Sequence, residues 1–393
     1  MYNISRVTTG LERFVKERPL WAKGKRLGLL CHQASVDTRF VHAKELINEA
    51  FPGALKCLFS PQHGLYAEKQ DNMIESADGW EPSLGIPIYS LYGEVRQPRP
   101  QQLSEIDVFI IDLQDVGCRV YTYIWTMLLS MRACAKAGVE VCILDRPNPI
   151  GGVKTEGNLL DSAYFSFVGM ASIPMRHGMT MGELALMFKK VEGLDLDLHI
   201  VKMDGWHRSM SFPDTGLPWV WPSPNMPTFD TAMVYPGQVV LETTNLSEGR
   251  GTTRPFEVFG APFLEHGIIN KHLEKYRLRG FVLRPQNFEP TFHKWQGKVC
   301  RGLQIHVTDR GLYQPYLTTL SILSVICKEF PDQFKWTSPP YEYEFEKLPA
   351  DLVIGNPRIR KAVEAGIPPF DLERLWKEGL KSFEESRRDF LLY

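Results

Sequence analysis

Five short apolar runs, Arg26–Cys31, Leu55–Phe59, Ile86–Leu91, Val108–Leu113 and Val139–Leu144, punctuate the first 150 residues and restrict the possible folds more than any other feature. Each has the length of a strand, and the longer ones lack the polar alternation of a half-solvated strand. That is the pattern of a parallel sheet covered on both faces. Helical periodicity fills Phe40–Ala50 and Tyr123–Ala137, the second stopped by Gly138. Strands alternating with helices predict βαβ units, hence an α/β fold with a Rossmann-like doubly wound parallel sheet. No GxGxxG turn follows the first run, where Cys31-His32-Gln33-Ala34-Ser35 stands instead. This argues against a dinucleotide, and no cofactor is expected.

Beyond Val139–Leu144 the pattern loosens. Ile150–Val168 is rich in Gly, Asn and Asp; Thr180-Met181-Gly182-Glu183 then reads as a capping box opening a helix. Leu196–Met203 predicts one more strand, and the Pro- and Trp-dense stretch Pro213–Pro236 predicts a long ordered loop. Further strands are expected at Val239–Glu242, Gly280–Leu283 and Leu303–Val307, and helices at Tyr316–Phe330 and Asp371–Arg388. With 393 residues the chain is long enough for two domains. The expected division is a Rossmann-like domain over 1–220 and a smaller α+β domain over 221–393.

Charge narrows the partners. The 45 basic and 46 acidic residues leave a formal charge of −1, without the basic surplus that nucleic acid or an anionic membrane demands. No apolar run approaches the roughly 18–20 residues of a membrane span. The N-terminus has no apolar stretch of the signal-peptide kind. The seven cysteines contain no CxxC pair and the ten histidines no HxH or HxxxH pair. Reduced thiols, no metal and a cytoplasmic setting are therefore expected.

In open parallel sheets, ligands bind beyond the carboxyl ends of the strands. The five runs end, in order, in His32-Gln33, Ser60-Pro61-Gln62-His63-Gly64, Tyr92-Gly93-Glu94, Asp112 with Gln114, Asp115 and Arg119, and Asp145-Arg146-Pro147-Asn148. Polar groups at every edge point to a polar binding cleft. Several of these residues also have purely structural readings. His63 could be a turn residue, Asp112 a helix cap, and Asp145-Arg146 either a local ion pair or an anion clamp. Tyr121, Tyr123 and Trp125 could be core or a stacking surface. Further along, Asn245–Pro255 sets two arginines and a carboxylate among small residues, and Pro222–Pro227 is stiff enough to hold Asn225 in place. Arg176-His177-Gly178 precedes the helix opened by Thr180, where an anion could sit.

Taken together, LFSPQHG (58–64), PIYSLYG (87–93), DLQDVGCRVYTYIWTM (112–127), LDRPNPIGG (144–152), SFVGMASIPMRHGMTMGELA (166–185), GLPWVWPSPNMPTFDTAMVYPG (216–237) and NLSEGRGTTRPFE (245–257) resemble the exo-β-N-acetylmuramidase NamZ family, and the resemblance runs on through GLQIHVTD (302–309) to the closing FLLY. It implies a cleft between two domains and release of terminal N-acetylmuramic acid from the non-reducing ends of peptidoglycan fragments. The family's usual form of the SPQHG segment carries Glu where this chain has Gln62. An amide cannot donate the proton that glycoside cleavage normally needs. Either another carboxyl group acts as the acid, with Glu94, Asp115 and Glu248 the options, or the substrate has a leaving group that needs little protonation, or the chain binds sugar without cleaving it. Asp115 and Glu248 are the expected catalytic carboxylates, with Gln62 and His63 against the glycosidic oxygen. Arg119, Tyr123, Arg146, Asn148, His177, Asn225 and Arg250 are the expected substrate-binding residues. Arg119, Arg146, Arg176 or Arg250 could grip the lactyl carboxylate. The alternative expectation is a sugar-binding protein that does not hydrolyse, which would tolerate the amide at position 62.

Overall fold

The computed structural model describes residues 6–70 and 74–393. Strands β1 (Leu27–Cys31), β2 (Leu55–Ser60), β3 (Gly79–Glu81), β4 (Ile86–Ser90), β5 (Val108–Asp112) and β6 (Glu140–Leu144) follow the predicted apolar runs, apart from the short β3. A two-stranded pair, β7 (Glu156–Leu159) with β8 (Pro174–Arg176), comes next, and then β9 (Leu198–Val201) returns to the main sheet. That sheet has the order β3-β4-β2-β1-β5-β6-β9, parallel throughout except for the antiparallel edge strand β3. Numbered by appearance, its six parallel strands lie 3-2-1-4-5-6, the doubly wound dinucleotide-fold order, here without the dinucleotide turn.

The continuous apolar runs are explained by cover on both faces. Leu30, Phe59, Phe109, Ile111 and Ile143 point into one core with helices Tyr123–Ala137 and Met181–Glu192. Their neighbours Leu29, Leu58, Ile110 and Cys142 point into the other, with helices Gly10–Glu17 and Ala43–Ala50. The period of two divides each strand between the cores. The capping box at residue 180 is formed: the Thr180 hydroxyl accepts from the Glu183 amide at 3.3 Å, and the Glu183 carboxylate accepts from the Thr180 amide at 3.0 Å.

The remaining chain builds an antiparallel sheet ordered β10 (Val258–Ala261), β12 (Arg301–Val307) and β11 (Phe281–Pro285), packed with helices. Two expectations need correction here. Pro213–Pro236 is not one irregular loop, because a helix spans Phe229–Gln238, capped by Thr228 and continuing through Pro236. Val239–Glu242 is not a strand but a 3₁₀ turn, Val239–Thr243, extending that helix. A four-residue apolar run fits either structure, and the preceding helix decides. Gly237 shows why: this helix crosses helix Pro315–Glu329 so closely that a Cβ on Gly237 would lie 2.0 Å from the Pro315 carbonyl oxygen. The helix expected over Asp371–Arg388 is divided into Pro369–Arg374 and Lys377–Ser386. Among the described residues, no helix is long and apolar enough to cross a membrane.

Candidate active site

A polar pocket lies beyond the carboxyl edge of the main sheet, where ligands bind in open parallel sheets. Gln62 and His63 enter it from the loop after β2, and Tyr121, Thr122 and Tyr123 from the segment after β5. The opposite wall comes from the second half of the chain: Ser223 and Asn225, Tyr235, Glu242, Arg250, Phe256, and the pair Tyr341-Glu342.

Gln62 is the hub of the first wall. Its carbonyl oxygen accepts from the Thr122 hydroxyl at 2.6 Å, which leaves the amide nitrogen to donate to Glu342 Oε1 at 3.2 Å. The other Glu342 oxygen accepts from the Tyr92 hydroxyl at 2.7 Å. Glu342 is only 4% exposed, and among the described residues no cation pairs with it. Burial, with the nearby Glu242 charge adding to it, raises its proton affinity above the usual carboxylate range, although the two hydrogen bonds and the more distant Arg96 charge pull the other way. His63 donates from Nδ1 to the Lys69 carbonyl at 2.7 Å, because a carbonyl can only accept. Tyr123 donates to the Pro222 carbonyl at 2.7 Å, and Asn225 donates to the Gln70 carbonyl at 3.0 Å. The Pro-rich loop is thereby tied to the β2 loop across the pocket.

The second carboxylate has a different setting. Glu242 takes a 2.5 Å bond from Arg250 and a 2.7 Å bond from the Tyr341 hydroxyl. Behind it, Glu248 is fully buried between Lys294 at 2.9 Å and Arg250 and His293, each at 3.3 Å. Burial alone would raise the Glu248 carboxyl, but the Lys294 charge, the His293 hydrogen bond and the Arg250 charge hold it far below the usual range. Burial likewise opposes the Arg250 charge, and Glu242 and Glu248 overcome it, so Arg250 stays a cation. Gly249, at φ 81°, makes the turn possible, since a Cβ there would meet the Val258 carbonyl at 2.7 Å. A buried carboxyl of raised proton affinity thus shares a pocket with one bound to an arginine, two unlike settings of the kind a glycosidase's carboxyl pair occupies.

Two family models of the exo-β-N-acetylmuramidase NamZ match the chain, the N-terminal one over residues 27–230 and the C-terminal one over 233–393. The chain belongs to the NamZ family. The peptidoglycan β-N-acetylmuramidase NamZ of Bacillus subtilis (strain 168) is 40% identical over 388 residues, covering 99% of this chain and 92% of that protein. The fold of this NamZ-family chain is similar to crystal structures of two DUF1343 family proteins from Bacteroides fragilis NCTC 9343. One has a TM-score of 0.86 at 33% identity and the other 0.74 at 28%, each alignment covering 99% of both chains.

Five of the eleven expected catalytic and substrate-binding residues meet in the NamZ-family pocket, Gln62, His63, Tyr123, Asn225 and Arg250, and Tyr121 joins them. The other six do not line it. Asp115 accepts from the Gly117 amide at 2.6 Å and lies 3.4 Å from His177, which is fully buried and accepts from the Met179 amide. Asn148 donates to the Met179 carbonyl. Arg146 is neither paired to Asp145 nor open to an anion, because it forks onto Asp112 at 2.6 and 2.8 Å. Arg119 is fully buried and spends its guanidinium on the carbonyls of Asn158, Ile173, Val353 and Ile354. Glu248 stands behind Arg250 rather than in the pocket. Of the remaining options, Glu94 is exposed and pairs with Arg99, Arg176 is buried and donates to the Ile150 carbonyl, and Trp125 is core. Asp115, Asn148, Arg119, Arg176 and His177 bond backbone groups, whereas Arg146, Glu248 and Glu94 pair with charged side chains.

Sequence reasoning missed Glu242, Tyr341 and Glu342. Glu242 hid in an apolar run that reads as a strand. Glu342 sits in Pro340-Tyr341-Glu342-Tyr343-Glu344, where a carboxylate between two tyrosines behind prolines was the available signal.

Proposed function

We propose that this chain is a glycoside hydrolase that releases terminal N-acetylmuramic acid from the non-reducing end of peptidoglycan fragments. The observation that carries the reading is the single polar pocket holding two glutamates, Glu342 and Glu242, in unlike electrostatic settings. Tyr121 and Tyr123 line the pocket as aromatic wall residues. Gln62, His63, Asn225 and Arg250 supply groups for the sugar's hydroxyls and acetamide. Arg250 already neutralises Glu242 and Glu248, so in this reading it orients Glu242 rather than gripping the lactyl group.

The test is mass-spectrometric detection of free N-acetylmuramic acid after incubation with the MurNAc–GlcNAc disaccharide. Release is expected from MurNAc–GlcNAc and not from GlcNAc–MurNAc, whose terminal sugar lacks the lactyl ether. A folded protein that binds MurNAc–GlcNAc and leaves it intact would overturn hydrolysis in favour of sugar binding.

A further inference from the structure

The glycosidic oxygen of a sugar–sugar bond is a poor leaving group unless it receives a proton as the bond breaks. Gln62, central as it is, has none to give. We infer that Glu342 is the general acid of this pocket and that Gln62 is its positioning residue. The inference rests on the muramidase reading above and deepens it.

Elimination and geometry agree. Among the described residues, the carboxyls lining the pocket are Glu242 and Glu342. Glu242 is held by Arg250 and the Tyr341 hydroxyl. Glu248 is sealed behind it against Lys294, Arg250 and His293, Asp115 lies outside, and Glu94 is on the surface. Glu342 alone combines a place on the pocket wall, near-complete burial and no cation partner among the described residues.

Its hydrogen bonds suit a proton donor. Gln62 and Tyr92 each donate to one oxygen of Glu342, so both are in place to stabilise the carboxylate left after transfer. The Thr122 hydroxyl orients the Gln62 amide so that its NH₂ faces Glu342. At that one position an amide does the opposite of acid catalysis: it receives no proton and gives none, but it favours the product form of its neighbour.

The backbone is committed to this placement. Tyr341 and Glu344 exchange two backbone hydrogen bonds of 3.0 Å across a two-residue turn, and the residues between them, Glu342 and Tyr343, have φ 45° and 67°. Both central residues at positive φ define the turn that ordinarily recruits Asn-Gly. Holding Glu and Tyr there costs on the order of 1 kcal/mol or more each, strain of the kind stored at functional sites. The first wall answers in kind, with His63 at φ 75° beside Gln62.

The step balances simply. The proton passes from the Glu342 carboxyl to the glycosidic oxygen as the bond from C1 to that oxygen breaks, and the leaving sugar departs as a neutral alcohol. Water supplies the hydroxyl that ends on C1 and the proton that restores Glu342.

Two substrates separate this role from a structural one: MurNAc–GlcNAc, and 4-methylumbelliferyl N-acetyl-β-muramide, whose phenolate needs little protonation. Glu342→Gln should lower kcat on the disaccharide about 10²–10⁴-fold and on the aryl glycoside far less. The fall in kcat/KM with rising pH, set by loss of the Glu342 proton, should vanish in that variant. Tyr92→Phe removes a bond that stabilises the carboxylate, so the same fall should move to higher pH. Disaccharide activity within tenfold of wild type in Glu342→Gln, equal losses on both substrates, or an unmoved pH limb in Tyr92→Phe would overturn the assignment. A wild-type protein inert on both substrates would sink the muramidase reading and the acid with it. An active wild type with a tolerant Glu342→Gln would sink the acid alone.

Discussion

Glu248→Gln should lower the unfolding free energy by about 3–5 kcal/mol, measured as a lower denaturation midpoint at unchanged slope. The carboxylate is fully buried and touches Lys294, Arg250 and His293, so an amide leaves that positive cluster without its counter-charge. Lys294 has other bonds, to the carbonyls of Leu241, Glu242 and Leu246, and these limit the loss without cancelling it. The pH dependence carries a sign. The folded-state carboxyl is held well below its ordinary value of 4.5, so its contribution is complete above about pH 4.5 and is lost as pH falls further. The gap between wild type and Glu248→Gln should therefore be widest near neutrality and shrink in acid. A gap below about 1 kcal/mol at pH 7, or one that widens in acid, would show that the cluster does not depend on this charge.

Arg119→Met should be comparably costly, about 4 kcal/mol or more. Methionine keeps most of the apolar stem but abandons four buried carbonyls, each left short of a donor at roughly 1–3 kcal/mol before relaxation. Two of those carbonyls, Val353 and Ile354, end helix Pro349–Ile354, so this arginine fastens the segment after β5 to a helix over 230 residues away. Arg119→Lys should recover only part of the loss, because an ammonium cannot fork in a plane to four acceptors. Folded Arg119→Met should keep the wild-type KM for MurNAc–GlcNAc. A raised KM with undiminished stability would instead support the sequence expectation that Arg119 grips the substrate.

These two residues show where sequence reasoning stopped. It identified Arg119 and Glu248 as charged groups in loop motifs. It assigned them to substrate because a sequence displays a charge without its partner. The acceptors that satisfy Arg119 and the cations around Glu248 lie far along the chain or are backbone atoms, which no motif spells out.

By itself the sequence determined the α/β class, five main-sheet strands within a residue or two, the helix Tyr123–Ala137 and the capping box at Thr180. It also placed Gln62, His63, Tyr123, Asn225 and Arg250 among the candidates that meet in the pocket. Periodicity and capping are short-range properties, fixed by which faces neighbouring residues share, so they survive being read in one dimension. Only the tertiary structure decided which carboxyl faces Gln62. Glu342 stands 280 positions away on a turn whose backbone is strained, and its proton affinity follows from burial and from partners contributed by other elements. Local composition carries no record of a dielectric environment assembled by packing, and the choice of acid depends on that environment.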